Sequence, residues 1–120
     1  MTDSLLVQLR KGVLDLCVLA LLAQRDGYAY DIASRLAHDI GMGEGTIYPL
    51  MRRMQADGLV KTYLEESSSG PPRKYYQLTR AGHAALASQR ADWTEFVASV
   101  ARVLADARPA TSARTAGGAR

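Results

Sequence analysis

Apolar and polar positions along this chain of 120 residues change period several times, and the changes mark its elements. From Ser4 to Arg25, Leu5, Leu9, Val13, Leu16 and Leu19 with Ala20 recur at helical spacing, while Leu6, Cys17, Leu21 and Leu22 widen the stripe. This predicts a first helix that is mostly buried. Asp26-Gly27 reads as a turn, and Tyr28 to His38 places Ala29, Ile32, Ala33, Leu36 and Ala37 on one side of a second helix. Ile40-Gly-Met-Gly43 breaks it. Ile47, Leu50, Met51 and Met54 stand at i, i+3, i+4 and i+7, the core stripe of a third helix that Gly58 stops. Leu59 to Leu64 is an apolar, β-branched and aromatic run suited to a strand, and Ser67-Ser-Ser-Gly-Pro-Pro72 is a turn. Beyond it Tyr76 and Leu78 alternate with Tyr75 and Gln77, so the first pair faces the core of a two-stranded wing. Thr79 is the N-cap of a last helix that runs to about Leu104 and ends before Pro109.

Helix, short glycine-containing turn, helix, strand, strand is the order of a winged helix-turn-helix. The chain therefore reads as mainly α with a small β-wing, in the order α-α-α-β-β-α. Pro49 leaves two readings of the third helix open. An interior proline costs roughly 3 kcal/mol. With Thr46 as N-cap it would fall in the first turn, where its missing donor had no intrahelical partner anyway.

Three segments in a fixed order, Tyr48-Pro49, Asp57-Gly58-Leu59-Val60 and Arg73-Lys74-Tyr75-Tyr76-Gln77-Leu78-Thr79, resemble the pattern around the recognition helix and wing of the PadR transcriptional regulators. The resemblance extends through the flanking helices, from about Leu5 to Leu104. It implies a DNA-binding winged helix-turn-helix over 1–78, a C-terminal helix over 79–106 that mediates homodimerisation, and a third helix starting near Gly43 with a kink at Pro49. Residues 107–120, rich in Ala, Thr, Gly and Pro, read as a disordered basic tail.

Charge sharpens this only when counted by segment. The formal net charge is +3, but residues 1–106 carry twelve Lys/Arg and twelve Asp/Glu, so the excess is Arg108, Arg114 and Arg120 in the tail. Within the body, Gly45 to Arg80 holds six basic against three acidic residues, whereas residues 1–44 hold four against six. Positive charge thus collects on the third helix and the wing. A single domain of this size is helped by a partner chain in burying apolar surface. In the last helix, Leu86, Trp93, Val97, Val100 and Leu104, with Phe96 and Val103 beside them, form a stripe for a helix-helix seam or for the chain's own core.

The chemistry expected is that of double-stranded DNA recognition. Thr46 and Tyr48, near the start of the third helix, are candidates for base edges, a thymine methyl or a nearby phosphate. Arg52 and Arg53, further along, offer forked donors to phosphates first and to guanine second. Gly43 and Gly45 let the backbone approach closely, and Arg73 and Lys74 on the wing suit phosphate or minor-groove contacts. Trp93 is the candidate for a small aromatic effector, with Phe96, Leu9, Val13, Asp15 and Asp92 as neighbours, and the drug- and phenolic-acid-responsive PadR relatives are similar in carrying a tryptophan on this helix. The competing reading of Trp93 is core packing, and that of Asp15 a solvent-facing carboxylate. Tyr28 and Tyr30 read as half-buried packing residues.

Other function classes find little support. His38, His83 and Cys17 make no triad, so an enzyme is not expected. There is no Cys-x-x-Cys or His-x-x-x-His, and Gly41-Met-Gly-Glu-Gly45 lacks the lysine and preceding strand of a phosphate loop, so neither metal nor cofactor is expected. The one cysteine gives no disulfide framework, Val13 to Ala23 is too short to span a bilayer, and no basic leader opens the chain, which points to the cytoplasm and away from membranes. A winged-helix protein-interaction module and a DNA-binding dimer without effector are the alternatives.

Overall fold

A computed structural model describes residues 4–107. Its elements in chain order are α1 (Leu5–Gln24), β1 (Gly27–Tyr28), α2 (Ala29–Asp39), α3 (Glu44–Ala56), β2 (Val60–Ser67), β3 (Gly70–Leu78) and α4 (Arg80–Asp106). The expected tail lies outside the described residues apart from Ala107. The described chain forms two units, one through Gln89 and one from Arg90 onward, so α4 contributes its first turns to the first and the remainder to the second.

Capping residues set the helix ends. The Ser4 hydroxyl accepts from the Val7 N–H at 3.2 Å and opens α1. Gly41, at φ +82°, closes α2 with its own N–H and that of Met42 folded back to the Leu36 carbonyl. Gly58, at φ +77°, does the same for α3 as Leu59 N–H reaches the Met54 carbonyl. Gly43, not Thr46, is the N-cap of α3, so the earlier start is the one adopted and Pro49 lies inside the helix. Its missing N–H would have bonded to the Gly45 carbonyl at the exposed helix edge, which leaves that acceptor open to water.

The core of the first unit joins Leu14, Val18, Leu19 and Leu22 of α1 to Ile32, Ala33 and Leu36 of α2 and to Ile47, Leu50, Met51 and Met54 of α3. Val60, Tyr76 and Leu78 close it from the sheet, and Leu86 from α4. The third-helix stripe and the inward pair Tyr76 and Leu78 sit as expected. The first helix does not. Its buried side is Leu14-Val18-Leu22, whereas Leu5 at 70 % exposure, Leu6 and Leu9 are open. The helix is apolar on two opposite sides, and the core takes the one that Leu5, Leu9 and Val13 do not share.

The sheet has three antiparallel strands in the order β1-β3-β2, one more than expected. Gly27–Tyr28, expected as a turn and the start of a helix, pairs with Tyr76 and Tyr75 at the inner end of β3. The two long strands also reach further into the turn than expected, with Ser67 opposite Gly70. Pro71 and Pro72 fall at the irregularity between Glu65 and Ser67, where no ladder hydrogen bond is required of them.

The start of α4 is seated by two residues. Thr79 Oγ1 donates to the Gly58 carbonyl at 2.6 Å and accepts from the Gly82 N–H at 3.0 Å, so it caps the helix and ties it to the end of α3. Gly82 faces the Leu59 carbonyl so closely that a Cβ there would overlap it.

Candidate nucleic-acid interface

The N-terminal end of α3 is open. Gly43 and Gly45 are exposed, and a Cβ at either would meet nothing within 4 Å. With Ile47, Leu50, Met51 and Met54 in the core, helical geometry turns Gly45, Pro49 and Arg52 directly outward. The other candidates on this helix flank that face on two sides. Tyr48 is half-buried, and burial first, then the Glu44 carboxylate, Tyr30 and Tyr76, raise its phenol pKa. It leans to the sheet side. Thr46 and Arg53 lie on the opposite flank, toward α1, and line an open groove of about 420 Å³ with Lys11, Asp15 and Pro49 over Leu14 and Leu50.

Within that groove Arg53 is engaged. Its Nη1 and Nη2 donate to Asp15 Oδ2 and Oδ1, both at 3.2 Å, a two-pronged pair of half-exposed side chains. These hydrogen bonds, then the carboxylate charge, push the guanidinium pKa further up, so Arg53 is a permanent cation. Asp15, a candidate effector neighbour, is thereby placed toward α3. Helical spacing sets it on a different side of α1 from Leu9 and Val13.

On the sheet, Arg73 and Lys74 are exposed and point to opposite faces. The Arg73 guanidinium sits 4.8 Å from the centre of the Tyr28 ring, and the Lys74 ammonium 5.9 Å from that of Tyr76. Tyr28, Tyr75 and Tyr63 form a row across β1, β3 and β2, with ring centroids 5.5 and 5.8 Å apart. Tyr30 extends the row at 6.4 Å from Tyr28 and is exposed, not half-buried as expected. The Tyr63 hydroxyl donates to Asp26 Oδ2 at 2.7 Å, and that bond, with smaller contributions from burial and nearby charge, raises its pKa to about 12. Sequence reasoning missed this row because its members come from three strands, one of them only two residues long. It also missed Lys11, which joins Thr46 and Arg53 only through the packing of α1 on α3.

In the second unit, Trp93 at 44 % exposure, Phe96, Val97, Val100, Val103 and Leu104 lie along one side of α4. Asp92 is exposed at the edge of that stripe. Leu86, grouped with them in the sequence reading, is buried in the core of the first unit. Cys17 is half-buried, and burial raises its thiol pKa, which disfavours the reactive thiolate.

Residues 18–88, more than half of the chain, match the transcriptional regulator PadR-like family. The chain belongs to that family. Its members are regulators of transcription and not enzymes. A PadR-like transcriptional regulator from Bacillus cereus is 36% identical, with a TM-score of 0.72 over 84% of this chain and 99% of that one. A PadR-like transcription factor from Bacteroides fragilis is 39% identical, with a TM-score of 0.67 over the same shares, 84% and 99%. Bacillus subtilis PadR, solved in complex with operator DNA, is 23% identical with a TM-score of 0.58, over 64% of this chain and 46% of that one, and shares the fold. The three-stranded sheet and four helices are thus those of a PadR winged helix. No helix among the described residues is long and apolar enough to cross a membrane.

Proposed function

We propose that this PadR-family protein is a homodimeric, cytoplasmic repressor that places two α3 helices in successive major grooves of a pseudo-palindromic operator. The observation that carries this reading is the open face of α3, where Gly45 and Arg52 point outward with no side chain standing over the two glycines. An exposed helix of this kind matches the width of the major groove. Bacillus subtilis PadR, which shares this fold, is solved bound to operator DNA, and this supports operator DNA as the partner proposed for this chain. Thr46, Tyr48, Arg52, Arg53, Arg73 and Lys74 are the side chains proposed to meet DNA, the arginines and the lysine at phosphates. Repression follows from occupancy of the promoter.

The proposed dimer buries the apolar side of α4 from Trp93 to Leu104, because an uncovered stripe of that length is costly in water. A small aromatic or drug-like effector releases the operator by preferring a dimer geometry with mismatched half-site spacing, since a ligand of equal affinity for both states shifts nothing. Trp93 offers it a flat wall, with Phe96 and Asp92 beside it on α4 as the proposed surroundings.

Electrophoretic mobility of DNA from upstream of the protein's own gene, with unlabelled mixed-sequence competitor, tests this reading. Retardation that survives competitor supports a specific regulator. Loss of all retardation at that and other promoter fragments would favour a winged helix used for protein contacts. Quenching of the single tryptophan by aromatic compounds tests the effector separately.

A further inference from the structure

The groove between α1 and α3 is lined by three groups suited to one anion. Arg53, Lys11 and Thr46 line a single open groove together with Asp15, whose carboxylate accepts from the Arg53 guanidinium. A helix seated in the major groove has the two phosphate backbones along its flanks, because the groove is about as wide as the helix itself, roughly 12 Å. We infer that the α1–α3 groove seats one backbone phosphate, held by Arg53, Lys11 and Thr46, and that Asp15 occupies the anion's place in the free protein. This rests on the DNA-binding reading and adds Lys11 and Asp15 to it.

The exchange is physically cheap. Arg53 and Asp15 are both substantially exposed, at 54% and 37% of the side chain, so the pair stays hydrated and neither partner is stranded when it opens. A phosphate offers the guanidinium the same two-oxygen geometry that the carboxylate does. Asp15 therefore acts as a competitor that lowers affinity for any DNA sequence alike, since phosphate contacts carry no sequence information. It is a tuning residue on α1, not a contact to DNA.

The test is a fluorescence anisotropy titration of a labelled mixed-sequence duplex over a range of salt, with the full chain. Asp15→Asn is expected to tighten binding about threefold at low salt, the size of an exposed ion pair. Lys11→Gln should weaken binding and reduce the slope of log K against log salt by about 0.9. In an Arg53→Gln background the Asp15→Asn effect should vanish, because the two substitutions act on one contact. A purely supporting role for the pair would instead make Asp15→Asn weaken binding and lower Tm, and that result would overturn the inference. So would salt-sensitive binding by the unaltered protein that neither Asp15→Asn nor Lys11→Gln changes, with the DNA reading left standing. Absence of salt-sensitive binding in the unaltered protein would sink both.

Discussion

Gly82→Ala is expected to destabilise the protein far more than a glycine-to-alanine change in a helix ordinarily does. By propensity alone the substitution should stabilise α4 by up to about 1 kcal/mol. The structure reverses the sign. The new methyl overlaps the Leu59 carbonyl oxygen and comes within 2.9 Å of Leu78 Cδ2. The carbonyl cannot turn aside, because it accepts the Thr79 N–H at 3.0 Å. Relief requires the helix start to move, which stretches that bond and the 2.6 Å bond from Thr79 Oγ1 to the Gly58 carbonyl. Overpacking against a fixed backbone costs about 1–3 kcal/mol, and each weakened hydrogen bond adds up to about 1 kcal/mol. The net expectation is a loss of about 2–4 kcal/mol, read as a fall in Tm of about 10 °C in calorimetry. Both proteins must be compared at one concentration, since the Tm of the proposed dimer depends on it. A Tm equal to or above that of the unaltered protein would refute the packing argument.

Four further outcomes are expected. Gly58→Ala meets no neighbour but must adopt φ +77°, so it should cost about 1–2 kcal/mol in denaturant unfolding, and Gly58→Asn distinctly less. Tyr63, raised to about 12 from 10.0, stabilises the fold fully below pH 10, and that contribution is lost as the pH climbs toward 12. Unfolding midpoints across that window should therefore fall more steeply for the unaltered protein than for Tyr63→Phe. Val97→Asp with Val100→Asp puts charge into the apolar side of α4 and should convert the proposed dimer to monomer in sedimentation velocity without loss of helix. Arg52→Ala with Arg53→Ala should reduce the salt slope of DNA binding by about 1.8, two phosphate contacts' worth; an unchanged slope would remove both from the interface.

Where the fold could be read from the chain, local chemistry had a single solution. Gly58 and Thr79 announce a helix end and a helix start because each meets a need of the backbone at that place. Ile47-Leu50-Met51-Met54 has one apolar face and hence one orientation. Ambiguity entered where a segment could satisfy its own rules in two ways. The first helix is apolar on two sides, and only the packing of α2 and α3 selects Leu14-Val18-Leu22 over Leu5-Leu9. Gly27–Tyr28 is too short to carry a period, and it is a strand only because β3 lies beside it. The candidate interface divides in the same way. Arg52 and the two glycines follow from helical spacing, whereas the Arg53–Asp15 pair joins residues 38 apart and the Tyr63–Asp26 bond residues 37 apart. Neither leaves a local signature.

The proposed role of α3 as a DNA-recognition helix is tested most directly by the salt dependence of binding. A labelled duplex from upstream of the protein's own gene would be titrated at stepped salt with a fixed excess of mixed-sequence competitor. Recognition of DNA by α3 requires saturable binding that survives competitor and weakens steeply with salt, with a log–log slope several times the value of about 0.9 expected per phosphate. Binding that is absent, or that barely responds to salt, would contradict it.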